Sequence, residues 1–482
     1  MLPLQLNSLL LHKRLRRKLL PLRQRLRAKL PQRKQRLKNH SKQKKKVLSG
    51  TFFLYISKKS STFVRDLPFR CMQWSKEAKD TIWLMALQGV NYLAPLLVWP
   101  YLMVVLGAEQ FGIFSFGIAL AQYLMMLVDF GFNLTATKQI ALAQSDSRER
   151  DRLFTATMAA KMLLLGLSAA VVAAVSALPM YGAYRAIIWI TWLMVAGNAF
   201  SMFWLFQGMG KIRWVAIVNA AMKLLILPLT FVLVKLPADV YTAAWIQVAV
   251  FIGAGIVTVI LTYSMGLARC TRIEWKDVQN QMRSSWSIFL SNAATSTYTA
   301  LYVVLLAYFV TESEVGRYAA AEKIMRCACY LIWVPVSQAY FPKVSRLSGT
   351  DRAEGRRLVR RLTVFMAIVL GAAGIVLALC IEPLTVWLGK DYAGIGSLTA
   401  AMAVIPLLVG IGGVQGQMGL IAMGGEKEKA SFRNVYLAAG VVALVSVCLF
   451  SYLWGAMGAA AALVLTEGTV CLSMGLLNRN NG

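Results

Sequence analysis

The stretch GAEQFGIFSFGIA, Gly107–Ala119, returns in altered form 204 residues later as TESEVGRYAAAEK, Thr311–Lys323, with Gly112 falling on Gly316 and Phe114 on Tyr318. The same shift lays TKQIALA (Thr137–Ala143) on FPKVSRL (Phe341–Leu347), so in each half a second long helix ends in a basic exit. A copy displaced by an even number of membrane crossings keeps its sense in the bilayer, which makes this a parallel repeat rather than an inverted one. Two matched bodies that face each other are the expectation, with functional groups between them.

The medium follows from composition. With 482 residues, 58% of them hydrophobic, and a mean hydropathy of +0.57, the chain is too apolar for an ordinary water-soluble fold. Crossing the hydrocarbon takes about 20 residues of helix, and twelve apolar runs reach that length. The first six are Ile82–Leu106, Phe111–Phe130, Met158–Leu178, Ile187–Phe206, Val215–Val234 and Tyr241–Tyr263; the second six are Ile288–Val310, Ala319–Tyr340, Leu362–Cys380, Ile395–Ala422, Val435–Leu453 and Ala456–Leu477. The predicted fold is therefore an all-α integral membrane protein, about twelve transmembrane helices in two six-helix lobes (72–270 and 271–482) around a central cavity.

Cations sort by side. If the chain before Ile82 is cytoplasmic, the inner segments hold 23 Lys and Arg and the outer segments only Arg185, Lys235, Arg317 and Lys390. Lysine and arginine near span ends favour the cytoplasmic face, so both termini are expected inside. The net charge of +31 is divided unevenly: residues 1–71 carry 21 Lys and Arg against Asp66 alone. That segment is low in complexity, interrupted by Pro21 and Pro31, and too charged to bury a core. A lipid- or nucleic-acid-binding arm and an Arg-rich targeting segment are open readings of it. The favoured one is a coding start at Met72, which begins the amphipathic entry MQWSKEAKDTIW. No nucleic-acid partner is assigned.

Several chemistries are disfavoured. Seven cysteines show no paired spacing, and His12 and His40 are the only histidines, both in the basic segment; no disulfide framework or metal site is expected. There is no GxxxxGK[ST] phosphate loop and no acidic pair in a substantial outer loop. Transport is expected, not covalent catalysis.

Charges inside spans are costly and therefore candidates for function. Lys223 lies nine residues past Trp214 in the fifth span, deep enough to face a cavity or a neighbouring helix. Lys161, three residues into its span, is read as snorkelling to the interface. The eighth span opens GRYAAAEKIMR, with Arg317, Glu322, Lys323 and Arg326 in its outer third. Glu322 and Arg326, four apart, can pair on one face and leave Lys323 rotated away. The group is either an interfacial ion-pair cluster or a device for recognising an anionic substrate. Glu467, mid-span in the last helix, could neutralise a cation or carry a proton. In VDFGFNLTATKQIA (Val128–Ala141), Asp129 and Asn133 are read as caps at a break permitted by Gly131, with a gate or coupling-ion role as the sharper alternative. Gln88, Asn91, Gln122, Asn219, Gln247 and Gln417 either join helices or line a wet cavity.

At this point a resemblance emerges. LQGVNYLAPLLVWPYLMVVLGAEQFGIFSFGIALAQYLMMLVDFGFNLTATKQIA (Leu87–Ala141), with VGRYAAAEKI (Val315–Ile324) and FPKVS (Phe341–Ser345), resembles the polysaccharide biosynthesis flippases, the Wzx-type O-antigen and capsule repeat-unit translocases. These belong to the multidrug/oligosaccharidyl-lipid/polysaccharide exporter superfamily. The resemblance runs from Met72 to the end of the chain; the basic segment has no counterpart. It implies a V-shaped bundle in the bacterial inner membrane that alternates between inward-open and outward-open states. The implied cargo is an undecaprenyl-pyrophosphate-linked oligosaccharide. Lys223, Lys323, Arg326 and Arg317 would attract its pyrophosphate, and Asp129, Asn133, Glu322 and Glu467 would gate or couple. A proton or sodium gradient would be the energy source, with no bound cofactor. A polymerase and a chain-length regulator of the same pathway would be partners. A multidrug cation antiporter, a peptidoglycan lipid-precursor flippase and a non-transporting scaffold of glycan assembly remain alternatives.

Overall fold

A computed structural model describes residues 76–379 and 381–480, with side chains from Leu96 onward except 380–384, Glu426 and Asn480. The basic segment 1–71, both histidines, Cys71 and the side chains of Gln88 and Asn91 lie outside the described residues.

Helices account for the described chain, and no strand occurs among the described residues. In order they are α1 (Lys76–Asp129), α2 (Phe132–Leu142), α3 (Ser147–Ala177), α4 (Arg185–Ala199), α5 (Phe203–Gly208), α6 (Ile212–Leu233) and α7 (Val240–Ser264). The second half contains α8 (Trp275–Thr299), α9 (Leu301–Leu306), α10 (Glu312–Thr350), α11 (Arg352–Leu379), α12 (Ile381–Leu388), α13 (Ile395–Met402), α14 (Ile405–Gly413), a π-helical turn (Val414–Ala422) and α15 (Glu426–Asn480). Two of these are pairs of spans. Left-handed glycines break α1 at Gly107 (φ 68°) and α15 at Gly455 (φ 56°), a conformation that costs glycine nothing and other residues 1–2 kcal/mol or so.

Eight stretches among the described residues are long and apolar enough to cross a membrane by composition alone, and those containing Gly107 and Gly455 are long enough to cross twice. The segment α8–α9 and helix α10 complete the twelve crossings. Both are too polar to count on composition: α8 carries Ser285, Ser287, Ser291, Asn292, Thr295, Thr297 and Thr299, and α10 carries Glu322, Lys323 and Arg326. Side chains of that kind are tolerated at membrane depth only where protein or water surrounds them. The protein is a multi-pass membrane protein whose two most polar spans open its second half.

Four features join the halves at the end away from the arginine-rich loops. The second arm of α1 crosses the start of α10 at the two glycines aligned by the repeat. A β-carbon on Gly112 would stand 2.0 Å from the carbonyl oxygen of Glu312, and one on Gly316 would stand 1.7 Å from that of Ala108. Ala108 and Glu312 are themselves one repeat apart, so the contact is reciprocal, as a pseudo-two-fold axis between parallel copies requires. Nearby, the Tyr392 hydroxyl donates to the Met103 carbonyl at 3.0 Å, and the Asp391 carboxylate packs against Gly107.

The opposite, cation-rich end is joined differently. Phe130 (φ 44°) and Gly131 (φ 84°) are both left-handed and turn the chain from α1 into the amphipathic α2. The Phe130 ring stacks on Phe289 of α8 with centroids 4.3 Å apart, and Ile288 fills the space that a Gly131 side chain would need. Thr135 and Ser285 share a hydrogen bond of 2.5 Å. Asp146 caps α3, accepting from the amides of Arg148 and Glu149 at 3.0 and 3.2 Å.

A backbone oxygen less than 2 Å from a new methyl cannot move aside, so Gly316→Ala is expected to destabilise the protein by about 1–3 kcal/mol, the usual range for overpacking. Gly166→Ala, with no atom within 4 Å of the added carbon, should be neutral or mildly stabilising. Reversible unfolding in mixed detergent micelles checks both.

Candidate functional site

The structure divides the predicted site residues into three groups. Lys223 on α6 lines a cavity of about 210 Å³ inside the first lobe, with Gln122, Asn219 and Gln247 as its other polar walls and Trp99 and Val98 at one side. No carboxylate lines that cavity, and no ion pair to Lys223 occurs among the described residues. The lysine thus faces a polar space within one lobe.

Lys323 belongs to the other lobe but reaches into the first. Its ammonium lies 4.5 Å from the centroid of the Trp99 ring and 5.9 Å from that of Phe111, a cation–π arrangement that gains strength when water is excluded. Trp99 therefore forms a wall of the Lys223 cavity and also receives Lys323. This indole stands between the Lys223 cavity and Lys323 of the other lobe, and its residue type alone does not mark it out. Its only signal was the aromatic WPY at 99–101 in the first span.

The expected pairing of Glu322 with Arg326 is present, with Nε donating to Oε1 at 2.8 Å. The rotation that this leaves for Lys323 is the one that places it on Trp99. Arg326 also donates to the Tyr298 carbonyl at 3.3 Å. It lines a cavity of about 200 Å³ inside the second lobe together with Glu467, Gln417 and the stacked rings of Tyr298 and Tyr436. Here two carboxylates accompany one guanidinium. The structure does not bring Arg317 to this cluster: its guanidinium donates to the Ala393 carbonyl at 3.0 Å and the Ser313 hydroxyl at 3.4 Å, fixing the loop that follows α12.

Two expectations are corrected at the cation-rich end. Lys161 does not snorkel; it is 1% exposed and donates to Asp129 at 3.0 Å. Burying an ammonium costs several kcal/mol unless it is paired, and Asp129, turned inward by the left-handed break that follows it, supplies the partner. Asp129 is consequently no cap. Gly131 stands at the N-cap of α2 with no side-chain cap bond, and Asn133 contributes its carbonyl to Thr137 at 2.8 Å, so neither predicted cap forms.

A second ion pair spans the halves nearby. Arg152 Nε donates to Asp277 Oδ2 at 3.0 Å and Nη2 to Oδ1 at 2.7 Å, the bidentate geometry that suits guanidinium and carboxylate. The hydrogen bond from Arg152 holds the Asp277 carboxyl below its ordinary value of 3.8. Adjacent backbone follows: the Arg269 amide donates to Asp151 at 3.0 Å and the Thr271 amide to Thr155 at 3.0 Å.

Among known sequences, the family model described as "Polysaccharide biosynthesis protein" matches residues 78–348. This chain belongs to that family. The "Putative O-antigen transporter" of Escherichia coli (strain K12) is 30% identical over 405 residues, covering 84% of this chain and 97% of the relative. Its namesake from Shigella dysenteriae is 30% identical over 401 residues, covering 82% and 98%. Among solved structures, an inward-facing multidrug resistance MATE family transporter superposes with a TM-score of 0.65 at 12% identity, covering 81% of this chain and 94% of that one. The lipid II flippase MurJ in an inward closed conformation gives 0.64 at 13% identity, covering 81% and 86%. At such identities the structural likeness establishes the fold, that of helical membrane transporters.

Two outcomes follow. Lys161→Met should cost about 3 kcal/mol, because it strands the Asp129 charge, and the second change Asp129→Leu should recover much of the loss in a double-mutant cycle. For Arg152–Asp277 the linkage runs as for any depressed carboxyl. The stability it adds is fully present above the unfolded value and is lost as pH falls through the folded one. The gap between wild type and Asp277→Asn should therefore stay flat across neutral pH and close only below about pH 4, as read by thermal unfolding of the purified protein.

Proposed function

We propose that this chain translocates an undecaprenyl-pyrophosphate-linked oligosaccharide repeat unit, of O-antigen or capsule type, across the bacterial inner membrane by alternating access. One observation carries the reading: Lys323 of one lobe rests on Trp99 of the other, and that indole also walls the Lys223 cavity inside the first lobe, so two cations without ion-pair partners among the described residues flank one aromatic side chain. A glycan and a pyrophosphate cannot enter hydrocarbon unaided, whereas a prenyl chain can remain there. Lys223 and Lys323 would draw in the pyrophosphate, with Arg326 reached only when its bond to Glu322 loosens and Arg317 serving the far-end loop. The polar faces of α8 and α10 would accompany the sugars. The names of the O-antigen relatives support this choice of cargo.

In this reading the lobes are 72–270 and 271–482, with both termini cytoplasmic and the cation-rich end facing the cytoplasm. Glu467 and Glu322, two carboxyl groups around the single guanidinium of Arg326, are the candidates for coupling to a proton or sodium gradient. Asp129 acts through Lys161 at the inner end. The glycan polymerase and the chain-length regulator would receive the product outside. The lysine-lined cavity disfavours a multidrug cation as cargo.

Deletion of the gene should leave lipid-linked repeat units on the cytoplasmic leaflet and abolish surface polysaccharide. Lys323→Ala, at normal membrane abundance, should lower transport by roughly ten-fold, as loss of about 1.4 kcal/mol requires, while Lys323→Arg should retain most of it. Lipid-linked units displayed outside the deletion strain, or full activity in Lys323→Ala, would refute the reading.

A further inference from the structure

A further cavity belongs to neither lysine. About 520 Å³ in volume, it lies inside the second lobe at the cation-rich end, between the start of α11 and the end of α15. Arg352, Arg356 and Arg360 line it from α11 and Arg479 lines it from α15; the single acid in its wall is Glu428. Spacing of four puts the three α11 arginines on one helix face, about 12 Å from first to last at 1.5 Å per residue.

This arrangement is electrostatically unfavourable as it stands. The first ten residues of α11 contain five arginines, at the helix end where the backbone dipole repels cations. No ion pair to Arg352, Arg356, Arg360 or Arg479 occurs among the described residues. Glu428, whose carboxylate accepts the Gly425 amide at 2.7 Å and feels the charge of Arg352, offsets one of the four cations at most, and Arg352 spends one donor on the Met423 carbonyl at 3.4 Å. Cations that merely fix topology could occupy any face of the loop or helix. Here four converge on one hollow, while Arg357 and Arg361 on the same helix do not line it.

The walls change character with depth. Beyond Arg360 the same face of α11 continues as Val364 and Ile368, 55% and 66% exposed, and beyond Arg479 the matching face of α15 continues as Leu476 and Leu472, 61% and 69% exposed. Guanidinium groups at the level of head groups, with uncovered aliphatic side chains directly deeper, form a surface for a molecule that is anionic at one end and oily at the other.

We propose that this cavity seats the phosphates of an anionic lipid drawn from the leaflet at the cation-rich end, its chains lying along the Val364–Ile368 and Leu472–Leu476 faces. Three guanidiniums along about 12 Å of α11, with a fourth from α15, suit two phosphates better than one. A phospholipid with two phosphodiesters and a polyprenyl diphosphate share that chemistry. The site is separate from the seam where Lys323 meets Trp99, and it stands whether or not the transport reading holds.

The full chain, purified in detergent, is titrated with tetraoleoyl cardiolipin, undecaprenyl diphosphate, dioleoyl phosphatidylcholine and inorganic pyrophosphate, with binding followed by native mass spectrometry and thermal shift. At least one of the two bisanionic lipids should bind and raise the melting temperature where phosphatidylcholine does not, and the tighter of the two identifies the source. Arg356→Gln/Arg360→Gln/Arg479→Gln should weaken that binding at least ten-fold, while Arg357→Gln/Arg361→Gln should leave it within two-fold or so; if the triple variant does not fold, Arg360→Gln alone should show a smaller loss in the same order. The proposal is overturned if neither bisanionic lipid exceeds phosphatidylcholine, if the cavity and control variants lose affinity alike, or if inorganic pyrophosphate binds as tightly as the lipids.

Discussion

Two backbones touch where Gly112 passes Gly316, and the relation between the halves depends on that contact. In a bilayer the apolar surfaces of helices gain little by leaving lipid, so close approach of small residues and short-range packing must hold spans together. The crossing meets this need twice over, since each glycine faces the carbonyl one helical turn before its repeat mate. The pseudo-two-fold axis runs through the contact. Tyr392 and Asp391 brace the same end against Met103 and Gly107, and the Lys323–Trp99 contact lies beside it.

Charge is sorted by whether it is paired. Lys161 with Asp129, and Arg326 with Glu322, each bury a cation at a distance where its partner offsets the lost hydration. The first pair joins α3 to α1, and the second lies within α10. Lys323 has instead the face of an indole, and Lys223 has amide side chains and a cavity. An aromatic face is a weaker companion than a carboxylate and can be exchanged for an incoming anion at smaller cost. Of the cations held this way, Lys323 lies at the seam and Lys223 within the first lobe.

Much of this order was legible beforehand, for physical reasons. The repeat exposed Gly112 and Gly316 together, and a shared ancestral contact explains why they meet. The Glu322–Arg326 pair followed from helix geometry, since its partners lie on one helix four residues apart. Lys161 was misread because its partner is 32 residues away and its burial is set by how α3 rotates against α1. Asp129 and Asn133 carried the residue types of caps, but two left-handed residues made the turn without them. Trp99 could not be distinguished from an interfacial aromatic, and the arginines of α11 read as topology signals until their common face met Arg479.

The most direct measurement is leaflet transfer in proteoliposomes that hold only the purified chain and a fluorescent lipid-linked oligosaccharide, read by a membrane-impermeant quencher. The pyrophosphate-linked compound should change leaflets under an imposed proton or sodium gradient, and an analogue whose pyrophosphate is replaced by a neutral linker should lag far behind. Equal transfer of both compounds, or folded protein that moves neither under either gradient, would contradict a cationic seam as the route of a charged head group.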